Sequence, residues 1–310
     1  MTCISSIHTI LDENDMNRRN ITMSPIDLLQ NLGNLSSSGV FDNPLMVELV
    51  ANHLTDEKVV NDNSIHPVNV MIALATYRCG YSENKSTTCN VDPAIIYALT
   101  DLFYLSFKKC TPIGKRIYFC IDCSGSMKSP SAVSCISNAA AAALLAMVFS
   151  RSDYVDGKFS DRHTFKLFTS IDTYTGYRGC HQIQNNLTDV TELINSKASF
   201  NDVYVAIQRR DFGITDISLP VIDALNSNQQ YDAFVIITDI DVNSGTHPSV
   251  ALKEYRRRVP NAKNTKMIVV STCDDAFSIA DSDDTNMLDI VGFSCDTHKI
   301  IQDFILTNKR

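Results

Sequence analysis

The sequence predicts an α/β fold: a doubly wound, mostly parallel sheet preceded by a small α-helical segment. Three observations carry this. From residue 115 onward, compact apolar runs such as Ile117–Ile121, Ala233–Thr238 and Met267–Ser271 alternate with helical patterns. Such runs are apolar on both faces, the condition of parallel strands covered by helices on either side. Before residue 115, four stretches carry apolar residues at three-to-four spacing, each opened by a proline. The expected boundaries are a helical segment at 1–112 and an α/β domain at 113–310, with Thr111–Gly114 as the hinge.

In order along the chain, Pro25 opens Ile26, Leu28, Leu29 and Leu32, a run that Gly33 is expected to close. Pro44 precedes Leu45, Met46, Leu49, Val50 and Leu54; Pro67 precedes Val70, Met71, Leu74 and Tyr77, with Gly80 beyond. Pro93 precedes Ile95, Ile96, Leu99, Leu102, Phe103 and Phe107. Each helix has an apolar face that must pack on something. In the α/β part, Ile117–Ile121 and Phe165–Phe168 read as strands. Ala139–Phe149, Leu187–Ala198, Leu219–Leu225, Val250–Val259 and Thr297–Leu306 read as helices.

Composition narrows the function classes. The chain has 310 residues, long for one domain and comfortable for two. With 44% hydrophobic and 20% charged residues it can build a sizeable core. Its formal charge is −8; residues 1–114 hold 7 Lys+Arg against 12 Asp+Glu, and the remainder 20 against 23. A general basic field for nucleic acid is therefore absent, and an RNA site must be a local patch. The start of the chain lacks a signal-peptide pattern. The longest apolar stretch, Ala139–Phe149, falls short of the ~18 residues a membrane span needs. The expectation is a cytoplasmic protein without membrane association, its ten cysteines reduced.

The chemistry concentrates where the first strand ends. In Asp122-Cys123-Ser124-Gly125-Ser126, one carboxylate is followed by two alternating hydroxyls that can face a single point. Thr215 and Asp239 come from later loops that a parallel sheet brings alongside, and ligands of such sheets sit at the carboxyl ends of the strands. Two carboxylates and three hydroxyls are an all-oxygen set for a hard divalent cation, poorly matched to zinc. Such an ion would keep waters or an open position for an incoming carboxylate; Mg2+ suits it best, though Mn2+ or Ca2+ would also fit.

These residues resemble the metal-ion-dependent adhesion site of von Willebrand factor A domains, which implies a Rossmann-like sheet. Flanking stretches narrow the resemblance: Leu28–Leu32, Ser64–Pro67 with Ala73–Tyr77, Pro112–Arg116, His247-Pro248 with Leu252–Arg256, Phe277–Asp281 and Met287–Asp289. Together they resemble the Ro ribonucleoprotein autoantigen (TROVE-module) family, from about Met23 to the C-terminus and least between Asp153 and Asp211. The resemblance implies a ring of helical repeats closed by an A-like domain, a small noncoding Y RNA as partner, and a protein ligand presenting a carboxylate to the metal. Two departures stand out. Only about a hundred residues precede the A-like domain, so most of the ring, with most of the family's RNA contacts, has no counterpart here. Ile214 also stands before Thr215, where the family favours glycine.

Other readings compete. Arg256-Arg257-Arg258 with Lys253, Lys263 and Lys266 is the densest basic patch. Lys253, Arg256, Arg257 and Arg258 are the RNA-contact candidates, set against a solvated helix face with one or two ion pairs; no aromatic residues interleave for base stacking. Cys120 and Cys123 form a lone Cys-x-x-Cys whose first member lies inside a strand, a poor redox pair, and no second pair completes a zinc site. Ser124 lacks the elbow and the base of a nucleophile, so the expectation is a binding protein and not an enzyme. Two functions follow: an RNA-binding ribonucleoprotein component with a divalent-metal docking site, or a metal-dependent protein-interaction module that has lost RNA binding.

Overall fold

The computed structural model describes residues 21–307, except 64, 82–87, 156, 176–179, 209–214, 241–244 and 276. The chain forms two compact units, and the boundary between them falls between Cys110 and Thr111.

The first unit holds five α-helices among its described residues: α1 (Pro25–Ser37), α2 (Pro44–Thr55), α3 (Glu57–Asp62), α4 (Pro67–Arg78) and α5 (Pro93–Ser106). Four start at proline, whose fixed φ and missing N–H suit the first turn. In these four, Ser24, Asn43, His66 and Asp92 each accept a backbone N–H of that turn. Helix α3 has no counterpart among the expected elements; Asp56 ends α2 and at once caps α3, accepting from Lys58 and Val59. Gly33 does not end α1 as expected. It is buried inside the helix, and the left-handed residue beyond the end is Gly39, at φ +82°. The burial of Leu28, Leu32, Val50, Leu54, Val70, Leu74, Ile95, Leu99 and Phe103 follows the spacing read from the sequence.

The second unit is a six-stranded sheet of β1 (Ile117–Asp122), β2 (His163–Thr175), β3 (Cys180–Asp189), β4 (Ala233–Thr238), β5 (Lys266–Ser271) and β6 (Met287–Val291). The spatial order is 3-2-1-4-5-6, with every pair parallel except β2–β3. The helices are α6 (Asn138–Ser152), α7 (Thr191–Ile194), α8 (Phe200–Gln208), α9 (Leu219–Asn226), α10 (Pro248–Arg258) and α11 (Cys295–Leu306). Strand alternation divides the core: Tyr118, Cys120, Phe234, Ile236, Met267 and Val269 pack with Leu219, Val221, Leu252 and Tyr255 of α9 and α10. On the other face Phe119 meets Phe149 of α6. Thirteen residues of α6 are buried, so it is a core helix covered on nearly all sides, and its alanines let it lie close to the sheet.

Several elements depart from expectation. Residues 187–189, expected to start a helix, end strand β3, and only Thr191–Ile194 is helical. Strands β3 and β6, and helix α8, have no counterpart among the expected elements. Both strands are sheet edges; β3 offers Gln184 and Asn185 to solvent and so lacks the apolar alternation that marks a half-buried strand. The expected hinge is also fastened to the second unit. The N–H groups of Ile113 and Gly114 donate to Asp153, at 2.6 and 3.1 Å, and Asp153 in turn faces buried His163 at 3.2 Å.

Strand β5 carries a further device. The Lys266 ammonium, nearly buried, donates to the carbonyls of Phe304, Ile305 and Thr307, closing the C-terminal turn of α11. Those carbonyls have no intrahelical partner and carry the negative end of the helix dipole. Lys266→Met is expected to cost about 1.5–3 kcal/mol, the range for hydrogen bonds to a charged group, read as a lower urea midpoint at unchanged m-value.

Candidate functional site

The topology creates the site. After β1 the chain moves to β2 on one side, and β4 later takes the place on the other side of β1. Diverging connections open a crevice at the carboxyl ends of β1 and β4. Asp122 is the last residue of β1, and Asp239 follows the last residue of β4.

The β1 loop turns sharply into a 3-10 helix, Gly125–Lys128. The turn is made by Asp122 itself, whose Oδ1 accepts the Ser124 N–H at 2.8 Å. This places Ser124 Oγ 3.1 Å from Ser126 Oγ. On its other oxygen, Asp122 accepts from Thr215 Oγ1 at 3.2 Å and Thr238 Oγ1 at 2.7 Å. Thus Asp122 directly engages Ser124, Thr215 and a threonine outside the expected set of site residues. Thr238 has no signal in the sequence beyond its place before Asp239, because its role depends on strand pairing across the sheet. Ile214, the departure noted before Thr215, lies outside the described residues.

Asp122 is fully buried, and its carboxyl is pushed up to about 6. Burial is the largest cause, opposed by the hydrogen bonds from Ser124 and Thr238, with the Asp239 charge adding to the rise. Asp239 is close enough to act on it electrostatically, yet its own Oδ1 is buried without a hydrogen-bond partner. Asn138 Nδ2 and Thr169 Oγ1, also near the carboxyl edge of the sheet, are likewise buried and unpartnered. An unpartnered buried acceptor costs about 1–3 kcal/mol. Two carboxylates together with serine and threonine hydroxyls are the chemistry of an oxygen-ligand cation site, so the donors fit a hard divalent metal. Among the described residues no cluster of three His, Cys, Asp or Glu offers a different metal set.

Backbone strain marks the same place. Ile240 has φ +73°, a conformation costly for a β-branched residue, and is held there by its N–H donating to Thr238 Oγ1 at 3.1 Å. Behind Thr215, Asp216 Oδ1 accepts from the Ser218 N–H and hydroxyl, at 2.9 and 2.6 Å. Gly245, at φ +95°, lies so close that a Cβ there would fall 2.0 Å from that same oxygen.

The remaining candidates resolve differently. Each of the four cations named as RNA contacts has an acidic partner. Lys253 meets Asp281 at 2.7 Å, Arg256 meets Asp284, and Arg257 and Arg258 both meet Glu254, at 2.7 and 3.7 Å. Arg256 also donates to the Thr265 carbonyl at 2.9 and 2.7 Å. The four cations thus share three acidic partners, and Lys253, Arg257 and Arg258 stay largely exposed. Cys120 is fully buried, its thiol held well above the usual range by that burial, and Cys123 donates to the Phe168 carbonyl. Neither thiol is placed for redox exchange.

Comparison with known proteins agrees with this architecture. The family model for the Ro60 vWA domain matches residues 116–305. An RNA-binding protein RO60 of Caenorhabditis elegans is 30% identical over 288 residues, covering 92% of this chain and 40% of that protein. Its namesake in Deinococcus radiodurans is 29% identical over 284 residues, covering 89% and 48%. The crystal structure of the Deinococcus radiodurans RO (RSR) protein superposes with a TM-score of 0.77 at 27% identity, over 92% of this chain and 53% of that one. The chain spans less than half the length of either curated relative. A match of this extent over a sheet of this order leaves one assignment: the chain belongs to the Ro60 family, and its second unit is that family's von Willebrand factor A domain.

Proposed function

We propose that this protein is an RNA-associated member of the Ro60 family whose A domain docks an acidic ligand through a divalent cation. Asp122, Ser124, Ser126, Thr215 and Asp239 would hold the cation, Mg2+ by preference. The observation that carries the docking half is the buried, unpartnered Asp239 Oδ1, whose charge acts on Asp122, the carboxylate that Ser124 and Thr215 engage. A cation supplies the missing partner and, with hydroxyls making up most of the set, leaves room for an incoming carboxylate, such as an acidic side chain of a protein ligand. The reading is of a binding centre rather than an enzyme: Ser124 Oγ faces another hydroxyl, which is no base for a nucleophile.

Ser124→Ala with Ser126→Ala is expected to weaken Mn2+ binding by at least about tenfold, the lower end of the effect of losing groups that hold or orient a metal. Electron paramagnetic resonance of the free ion follows it, while the melting temperature without metal changes little. Unchanged affinity in the double variant would remove these hydroxyls from the site.

The RNA half rests on the names of the two curated relatives and on a match that covers both units. The partner in view is a small structured noncoding RNA of the Y RNA kind. Filter binding with small stem-loop RNAs across a salt series should show the logarithm of affinity falling linearly with log salt concentration. No retention even at low salt would favour the second reading, a metal-dependent protein-interaction module. The net charge of −8 and the ion pairing of Lys253 and Arg256–Arg258 point that way.

A further inference from the structure

Asn138, the first residue of α6, is fully buried at the same edge of the sheet. Its backbone N–H donates to the Ser129 carbonyl at 2.9 Å, which fixes the start of the helix. Its Oδ1 accepts from Thr272 Oγ1 at 2.8 Å and from Cys273 Sγ at 3.4 Å. With both donors on the oxygen side, Nδ2 is left as a buried donor with no partner. Register ties this amide to the cation site. Thr238 of β4 pairs with Ser271 of β5, and the Thr272 N–H continues the ladder by donating to the Thr238 carbonyl at 3.0 Å. Asp239 therefore leaves β4 alongside Thr272, the residue whose hydroxyl holds Asn138. The Cys273 thiol, which also touches Asn138, is raised by burial first and then by neighbouring carboxylates, Asp239 foremost. An orphan donor and an orphan acceptor thus flank one short stretch of strand ends. A single water placed between them would satisfy both, and buried polar groups are rarely left without such a partner.

We propose that Asn138 is a positioning residue of the cation centre, its side-chain amide orienting the Asp239 carboxylate through one bound water. The role rests on the cation reading above, and it makes the loop after β1, the end of β4 and the end of β5 one connected unit. Groups that orient metal ligands typically change affinity by about 10–100-fold when removed.

A double-mutant cycle of Asn138→Ala and Asp239→Ala tests it, read by Mn2+ affinity and, separately, by urea unfolding of the metal-free protein. Asn138→Ala is expected to raise the Mn2+ dissociation constant about tenfold, at the lower end of that range, and to have no further effect on affinity once Asp239 is gone. The stability losses of the two single variants should likewise fail to add in the double variant. A merely structural asparagine would lower stability equally in both backgrounds and leave Mn2+ affinity unchanged, and that result overturns the proposal. Should the alanine variant not fold, the isosteric Asn138→Asp takes its place. It turns an acceptor toward Asp239, so its loss of stability should be relieved by Asp239→Ala, and additive losses would again overturn the idea. If the wild-type chain binds no Mn2+ at all, the cation reading fails, while the cycle on metal-free stability still decides whether Asn138 and Asp239 are linked.

Discussion

Asp122→Asn is expected to abolish Mg2+ and Mn2+ binding, and yet to make the metal-free protein more stable at pH 7.5. Both effects come from one carboxylate. Asp122 is fully buried between Ser124, Thr215 and Thr238, whose hydrogen bonds offset only part of the cost of burying its charge in the metal-free protein. Burial raises its pKa to about 6 in the folded protein, above the ordinary carboxylate value. For an acid with a raised folded pKa, the folded state holds its proton more tightly than the unfolded chain does. The associated stability is full below the unfolded pKa and is lost as pH rises through about 6. At pH 7.5 the loss is on the order of 3 kcal/mol, since every tenfold difference in proton affinity between the folded and unfolded chain is worth about 1.4 kcal/mol. Asparagine keeps an acceptor for the Ser124 N–H and carries no charge, so the variant escapes this loss. Thermal melts without metal should therefore put the variant above wild type at pH 7.5 and level with it near pH 4. With Mg2+ added the order should reverse, because a ligand that binds only the folded state stabilises by RT ln(1 + [L]/Kd). Mg2+-induced stabilisation that persists in the variant, or a metal-free difference that does not change with pH, would refute the account.

The largest loss of stability is expected from Phe119→Ala. Phe119 is fully buried in β1, stacked on Phe165 at 4.8 Å and packed against Phe149 of α6 at 4.8 Å, with the His163 ring edge-on at 5.5 Å. Truncation removes the transfer free energy of the ring and leaves a cavity among strand and helix residues that cannot close on it. The expected cost is about 3–5 kcal/mol, against the roughly 5–15 kcal/mol that holds a typical protein folded. The melting temperature should fall by roughly 6–20 °C, at about 2–4 °C per kcal/mol for a domain of this size. A loss below about 1 kcal/mol, under the range for emptying a packed aromatic site, would mean that Phe119 is not packed as described. Because β1 ends in the Asp122 loop, the variant should also weaken cation binding without touching a ligand, which a titration at a temperature below its melt can measure.

Much of this architecture is written locally. An apolar run such as Ala233–Thr238 announces a strand buried on both faces. A proline preceded by Ser24, Asn43, His66 or Asp92 announces a helix start, because capping and fixed φ act within one turn. The Asp122–Ser126 loop is legible for the same reason: its turn is closed by Asp122 on Ser124, two residues away. Other features have no such local signal. The polar edge strand β3 carries no apolar alternation and is recognised as a strand only through its pairing with β2. Lys253 and Arg256 look like a basic patch until the fold supplies Asp281 and Asp284, each 28 residues along the chain.

By itself, then, the sequence determined the fold class, the family and the loop that begins the candidate cation site. Tertiary structure alone decided that Thr238 engages Asp122, that Thr272 holds Asn138 beside the end of β4, and that Lys253 and Arg256 pair with Asp281 and Asp284. The division has a physical basis. Backbone preferences and the burial period of a helix or strand act over a few residues and leave a pattern in the chain. Electrostatic and hydrogen-bond partnerships depend on which strands become neighbours, and that is settled only when the sheet assembles.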